Sequence, residues 1–132
     1  MMNFLSRWHK SPSYESLLWL ESEVMPGVEF SIRKISLSQR LDLTARIRQL
    51  TVQHEFLRAG NLSDQLEANM AELIVQKLYV EWAVAAVRGL RIDGEAASLG
   101  LVLERGPEEL VAEMATAIRS HLGLTDEDRK NS

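Results

Sequence analysis

Leu73-Ile74-Val75-Gln76-Lys77-Leu78-Tyr79-Val80-Glu81-Trp82-Ala83-Val84-Ala85-Ala86-Val87-Arg88-Gly89-Leu90-Arg91-Ile92-Asp93-Gly94 is the stretch that decides how this chain is read. From Leu73 to Val87 the residues are apolar over most of a helix's girth, and Gln76, Lys77, Glu81 and Arg88 share one narrow polar stripe. A helix of that kind must be covered on several sides. It is expected to start at Ser63, where Asp64 and Glu67 suit the positive end of the helix dipole, and to close at Gly89. Residues 90–92 then read as a short strand turned by Asp93-Gly94.

Beyond that turn, residues 98–104 read as one or two helical turns. Gly106 precedes Pro107, a residue suited to the first helical position, and Glu108 and Glu109 follow in the dipole-favoured first turn. Leu110, Val111, Met114, Ile118 and Leu122 give this last helix one apolar face, and Gly123 ends it. Thr125 is placed to cap a final turn in the polar segment 124–132.

Towards the amino terminus, Val28, Phe30 and Ile32 alternate with Glu29, Ser31 and Arg33, the two-residue period of a half-buried strand. Met25-Pro26-Gly27-Val28 supplies the turn of a β-hairpin over residues 17–35, proline presetting φ and glycine taking φ > 0. Leu18, Leu20 and Val24 are the expected facing row, with Ser22 its weak member. A two-stranded hairpin is marginal alone, so it should pack on a helix. Ser36 and Gln39 form a capping box that opens the first helix, whose apolar positions are read as Leu37, Leu41, Ile47, Leu50, His54 and Leu57, with Gly60 as its stop.

The expected architecture is mostly α (α+β), an N-terminal β-hairpin packed on a bundle of three to four helices. Residues 1–13 form a flexible arm, 14–123 a single helical domain with its N-terminal hairpin, and 124–132 a polar tail. The 132 residues suit one domain and bury a core without metals or disulfides. Cysteine is absent, which removes disulfides, thiol nucleophiles and cysteine-based zinc sites.

Residues 1–10 lack the long apolar run of a secretory signal. The run from Leu73 to Val87 is too short, and too interrupted by Lys77 and Glu81, to span a bilayer. A soluble cytoplasmic protein with no membrane partner is expected.

The formal charge of −4 divides unevenly: residues 1–60 carry +2 and residues 61–132 carry −6. Nucleic-acid binding needs a basic footprint. Arg40, Arg46, Arg48 and Arg58 in the first helix are diluted by Asp42 and Glu55 and have no aromatic stacking platform beside them. No nucleic-acid partner is expected.

Bond-making chemistry finds no constellation. None of His9, His54 and His121 has a second metal-binding residue one helical turn away, so no metal site is expected. Glu104, Glu108 and Glu109 cluster, but the latter two answer to a helix dipole, and Glu81 has Lys77 four residues earlier as an ion-pair partner. Acid–base catalysis needs two positioned groups facing a cleft, and no second one is evident. Glycine-rich phosphate loops and serine-hydrolase elbows are missing too. The chain is expected to be no enzyme and to carry no cofactor.

Partner binding is where the residue types point. Leu78, Tyr79 and Trp82 lie within one turn, with Leu73 earlier on the same helix, and tryptophan and tyrosine are common interface anchors. The same side chains serve equally as internal core, and both readings stand at this level. The surplus of apolar surface on this helix also allows a small homo-oligomer.

The hairpin strand Gly27-Val28-Glu29-Phe30-Ser31-Ile32-Arg33 resembles the opening of the tail assembly chaperones of long-tailed bacteriophages and prophages. Leu78-Tyr79-Val80-Glu81-Trp82, Val87-Arg88-Gly89-Leu90-Arg91-Ile92-Asp93-Gly94 and Glu104-Arg105-Gly106-Pro107-Glu108-Glu109-Leu110 follow in matching order, and the close from Gly123 to Ser132 is similar as well. The resemblance spans roughly residues 14–132; the arm at 1–13 departs from it.

It implies a non-enzymatic protein of the host bacterial cytoplasm. Such a protein binds the long, aggregation-prone tape measure protein, keeps it soluble, promotes tail tube assembly around it, and is absent from the mature virion. Many relatives also have a longer, frameshifted form that recruits the tail tube protein. The rival readings are a structural tail or head–tail completion protein and a small DNA-binding regulator that uses the arginines of the first helix.

Overall fold

The structure, a computed structural model, describes residues 11–55 and 62–123. The elements run β1 (Leu17–Glu21), β2 (Glu29–Arg33), α1 (Leu37–Glu55), α2 (Leu62–Ala83), β3 (Val84–Arg88), β4 (Arg91–Ile92), β5 (Glu95–Ala96), α3 (Leu99–Arg105) and α4 (Glu108–His121). The fold is mixed α+β, a three-stranded antiparallel sheet followed and backed by helices. Most of the proposed arm, the tail 124–132 with Thr125, the helix stop at Gly60, and Leu57 and Arg58 lie outside the described residues.

The hairpin forms where its alternation predicts, although Ser31, read as part of the polar face, is buried and its hydroxyl has no hydrogen-bond partner. Leu18 pairs with Ile32 and Leu20 with Phe30, while Val28, Phe30 and Ile32 are buried. Gly27 has φ 96°, and the Val28 N–H donates to the Met25 carbonyl at 3.0 Å, closing the turn. Two expectations about the facing row fail. Val24 is exposed, whereas Ser22 is buried because its hydroxyl finds partners rather than apolar contact.

The larger correction concerns the second long helix. It does not run to Gly89. It ends at Ala83, and Val84–Arg88 continues without a loop as β3, antiparallel to β2. The ladder matches Phe30 with Val87 and Ile32 with Val84 and carries an irregularity between Ser31 and Ile32. The hairpin's marginal stability is therefore relieved by a third strand as well as by helices. Arg88 leaves the supposed polar stripe of the helix and lies opposite Glu29 in the sheet.

Gly89 turns the chain beneath the hairpin with φ 81°, where an added Cβ would collide with the Gly27 carbonyl oxygen. Asp93 and Gly94 both take positive φ, 51° and 81°, the pattern of a type I′ turn; the short strand and turn expected there are present, and a second short strand, β5, which was not expected, completes a small hairpin.

The helix caps follow the residues that announce them. Ser36 Oγ accepts from the Gln39 N–H and the Gln39 side chain accepts from the Ser36 N–H, each at 3.2 Å. Ser98 Oγ accepts from the Leu101 N–H at 3.1 Å. Pro107 stands one residue earlier than expected, as the N-cap of α4. Leu110, Met114, Ile118 and Leu122, each four residues apart, fall on one face of that helix and are buried, with Val111 half-buried beside them.

These side chains meet Phe30, Ile32, Leu43, Val80, Ala83, Val84 and Val102 in one core. Leu43 holds the buried position on α1, with Ile47 packed against the core; Leu37 and Leu41, read above as core positions, project from another side of the helix and are exposed.

Candidate partner-binding surface

Helix α2 packs on α4 and α1, and its residues in or against the core run from Val75 to Ala83. The four sequence-predicted contact residues divide there. Tyr79 is 4% exposed and belongs to the core; the Arg119 guanidinium lies 5.2 Å from its ring centre. Leu78 and Trp82 are half-buried, each packed against the core while keeping part of its surface in solvent. Leu73 is exposed, at 52%.

Leu73 is joined by Leu66, Met70 and Ile74, all 44–58% exposed. Successive side chains turn by about 100°, so residues 66, 70, 73 and 74 share the side of α2 away from Tyr79 and Ala83. One turn further, Lys77 and Glu81 continue that side as an exposed ion pair at 3.9 Å. Thus the outer side of α2 is apolar in its amino-terminal half and charged in its carboxy-terminal half. On α1, Leu37, Leu41 and Val52 stand out from the solvent face in the same way. Of this α2 row, only Leu73 is among the contact residues read from the sequence. The signal for the others was the four-residue spacing of Leu66, Met70 and Ile74, hidden because α2 has apolar residues on its inner side too.

Several polar groups elsewhere have structural duties. Glu113 in α4 accepts from Ser22 Oγ at 2.5 Å and from the Glu23 and Val24 N–H groups at 2.6 and 3.3 Å. Arg40 donates to the Leu122 carbonyl at 2.7 Å, and Arg46 pairs with Asp42 at 2.9 Å, which occupies two of the arginines of the DNA-binding reading. Arg105 pairs with Asp93 at 3.6 Å. Arg88 donates to both carboxylate oxygens of Glu29, at 2.9 and 3.4 Å, and its guanidinium lies 3.8 Å from the centre of the Trp19 ring.

Among the described residues, no group of three or more histidine, cysteine or acidic side chains is placed to hold a metal ion. No helix among them is long and apolar enough to cross a membrane.

No protein-family profile, curated protein or solved structure matches the chain.

Proposed function

We propose that this chain is a tail assembly chaperone of a long-tailed phage or prophage, acting in the host bacterial cytoplasm. It binds the tape measure protein, keeps it soluble while tube subunits assemble around it, and does not remain in the finished particle. The observation that carries this reading is the exposed row Leu66, Met70, Leu73 and Ile74 on α2. A helical client with an apolar stripe seats on such a row by helix-to-helix contact.

The energetics suit a reversible holder. Fully burying an aliphatic side chain contributes about 1.5–3 kcal/mol, so covering four half-exposed ones contributes a few kcal/mol before the cost of association. One such contact is weak. Many copies along a long client hold it firmly and still release stepwise as the tube displaces them. The ion pair Lys77–Glu81 bounds the row at its carboxy-terminal end.

Co-expression with the tape measure protein tests the reading. Soluble tape measure protein should accumulate with the wild-type chain and be lost with a Met70→Glu, Ile74→Glu double variant of unchanged circular dichroism. A client that is equally insoluble with and without the wild-type chain rejects the proposal. Finding the chain in stoichiometric amount in purified particles would favour the rival structural tail protein instead.

A further inference from the structure

The two edges of the three-stranded sheet are not alike. β3 carries the register irregularity opposite Ser31 and Ile32 and has α2, α3 and the turn at Gly89 for neighbours. β1 pairs with β2 over all five residues without a bulge and is the outer strand of the sheet, with no second strand paired to it among the described residues; Leu20 still packs on the core and Trp19 lies under Arg88 of β3. Natural edge strands are usually blunted by lysine, proline, bulges or a covering element, because an open row of N–H and C=O groups invites another strand. β1 has no lysine, proline or bulge, and its one charge is Glu21 at the end of the strand.

Parity fixes which backbone groups stand open. The Lys34 N–H donates to the Ser16 carbonyl at 2.7 Å, and the Ser22 N–H donates to the Val28 carbonyl at 2.8 Å. Even-numbered residues of β1 therefore exchange hydrogen bonds with β2, and the N–H and C=O groups of Leu17, Trp19 and Glu21 point to the open edge. The side chains of Leu17 and Trp19 are 40% and 37% exposed on the sheet face that carries Glu29 and Arg88. Leu18 and Leu20 point to the core side yet are only half-buried.

We propose that β1 pairs antiparallel with β1 of a second copy of this chain, on a two-fold axis at Trp19, to make a continuous six-stranded sheet. That register alone engages all three outward-facing residues: Trp19 exchanges hydrogen bonds with its own symmetry mate, and Leu17 does so with Glu21 of the second copy. On the core side, Leu18 of each chain lies beside Leu20 of the other and covers surface that the monomer leaves open. The charges agree with it. Glu21 then faces an apolar residue, Leu17, and no like charge. A parallel arrangement in register would set the two Glu21 carboxylates side by side. Pairing of five residues buries less than the roughly 1,200 Å² of stable complexes, so the dimer is concentration-dependent. This inference does not depend on the proposed client or its surface.

Sedimentation equilibrium and hydrogen–deuterium exchange on the full chain test it. With rising concentration the mass should move from monomer towards dimer, while the amides of Leu17, Trp19 and Glu21 become protected and those of Leu18 and Leu20 do not change. Leu17→Pro removes an N–H that β2 does not use and should weaken dimerisation about tenfold or more without altering the monomer's circular dichroism. A mass that stays monomeric at every concentration overturns the proposal. So do odd-numbered amides that exchange at a concentration-independent rate, and so does a dimer abolished by Leu73→Glu but not by Leu17→Pro.

Discussion

Glu113 reaches from α4 to Ser22 at the end of β1, accepting its hydroxyl hydrogen bond at 2.5 Å across 91 residues of chain. Its second carboxylate oxygen accepts from the Glu23 and Val24 N–H groups, and Ser22 Oγ itself accepts from the Met25 N–H at 2.9 Å. One carboxylate thus fastens the hairpin loop to the last helix. Hydrogen bonds to a charged group contribute about 1.5–3 kcal/mol each, less where solvent reaches them. Glu113→Ala is expected to lower unfolding stability by about 2–3 kcal/mol in urea titration, and Ser22→Ala by about 1–2 kcal/mol. A double-mutant cycle should show strong coupling between the two; additive losses would mean that they do not act together.

Arg40 has a comparable task at the opposite end of α4. Its guanidinium satisfies the Leu122 carbonyl in the last turn, where cations are favoured by the helix dipole. Arg40→Met, which keeps the apolar stem, should cost about 1–2 kcal/mol of stability by chemical denaturation. An unchanged midpoint would show that the contact contributes nothing in solution.

Gly89 is the least replaceable glycine of the β3–β4 connection. It combines φ 81° with direct approach to the Gly27 carbonyl, so Gly89→Ala meets both a strained backbone and a collision with main chain that has no side-chain rotamer to yield. A loss of more than about 3 kcal/mol, or failure to accumulate as folded protein, is expected. Gly27→Ala, where no neighbouring atom approaches the new Cβ, should cost only the backbone strain of about 1–2 kcal/mol.

Trp82 and Leu73 should separate folding from binding. Trp82 is packed against the core, and Trp82→Ala is expected to destabilise by about 2–3 kcal/mol, less than the fully buried case. Leu73→Glu removes no core contact and should leave stability within about 0.5 kcal/mol while weakening client capture in pull-down. The reverse pattern would move the binding surface back to the aromatic residues.

Much of this fold is legible in the residues where one local rule acts alone. Phe30 and Ile32 alternate as a strand must, Ser36 and Gln39 can only be a capping box before an apolar run, and Asp93-Gly94 asks for the backbone that it adopts. The switch at Ala83 is not legible that way. Val84 and Val87 keep the helical spacing set by Val80, and they equally serve a strand once β2 offers an edge. That decision is made by residues more than 50 positions away. The candidate surface was obscured for a related reason. On a helix apolar nearly all round, periodicity does not tell which side the core takes, so the aromatic Tyr79 drew attention although its place is inside.

The direct passage from Ala83 into Val84 also sets an order of events at birth. β1 and β2 are neighbours in sequence and can meet as soon as both leave the ribosome, but Ile32 must wait for Val84, and with it for two whole helices. Throughout that interval the nascent hairpin is bare along both margins. Completion of the sheet is a late event in synthesis, so crowding by sister chains should do most harm before Arg88 emerges.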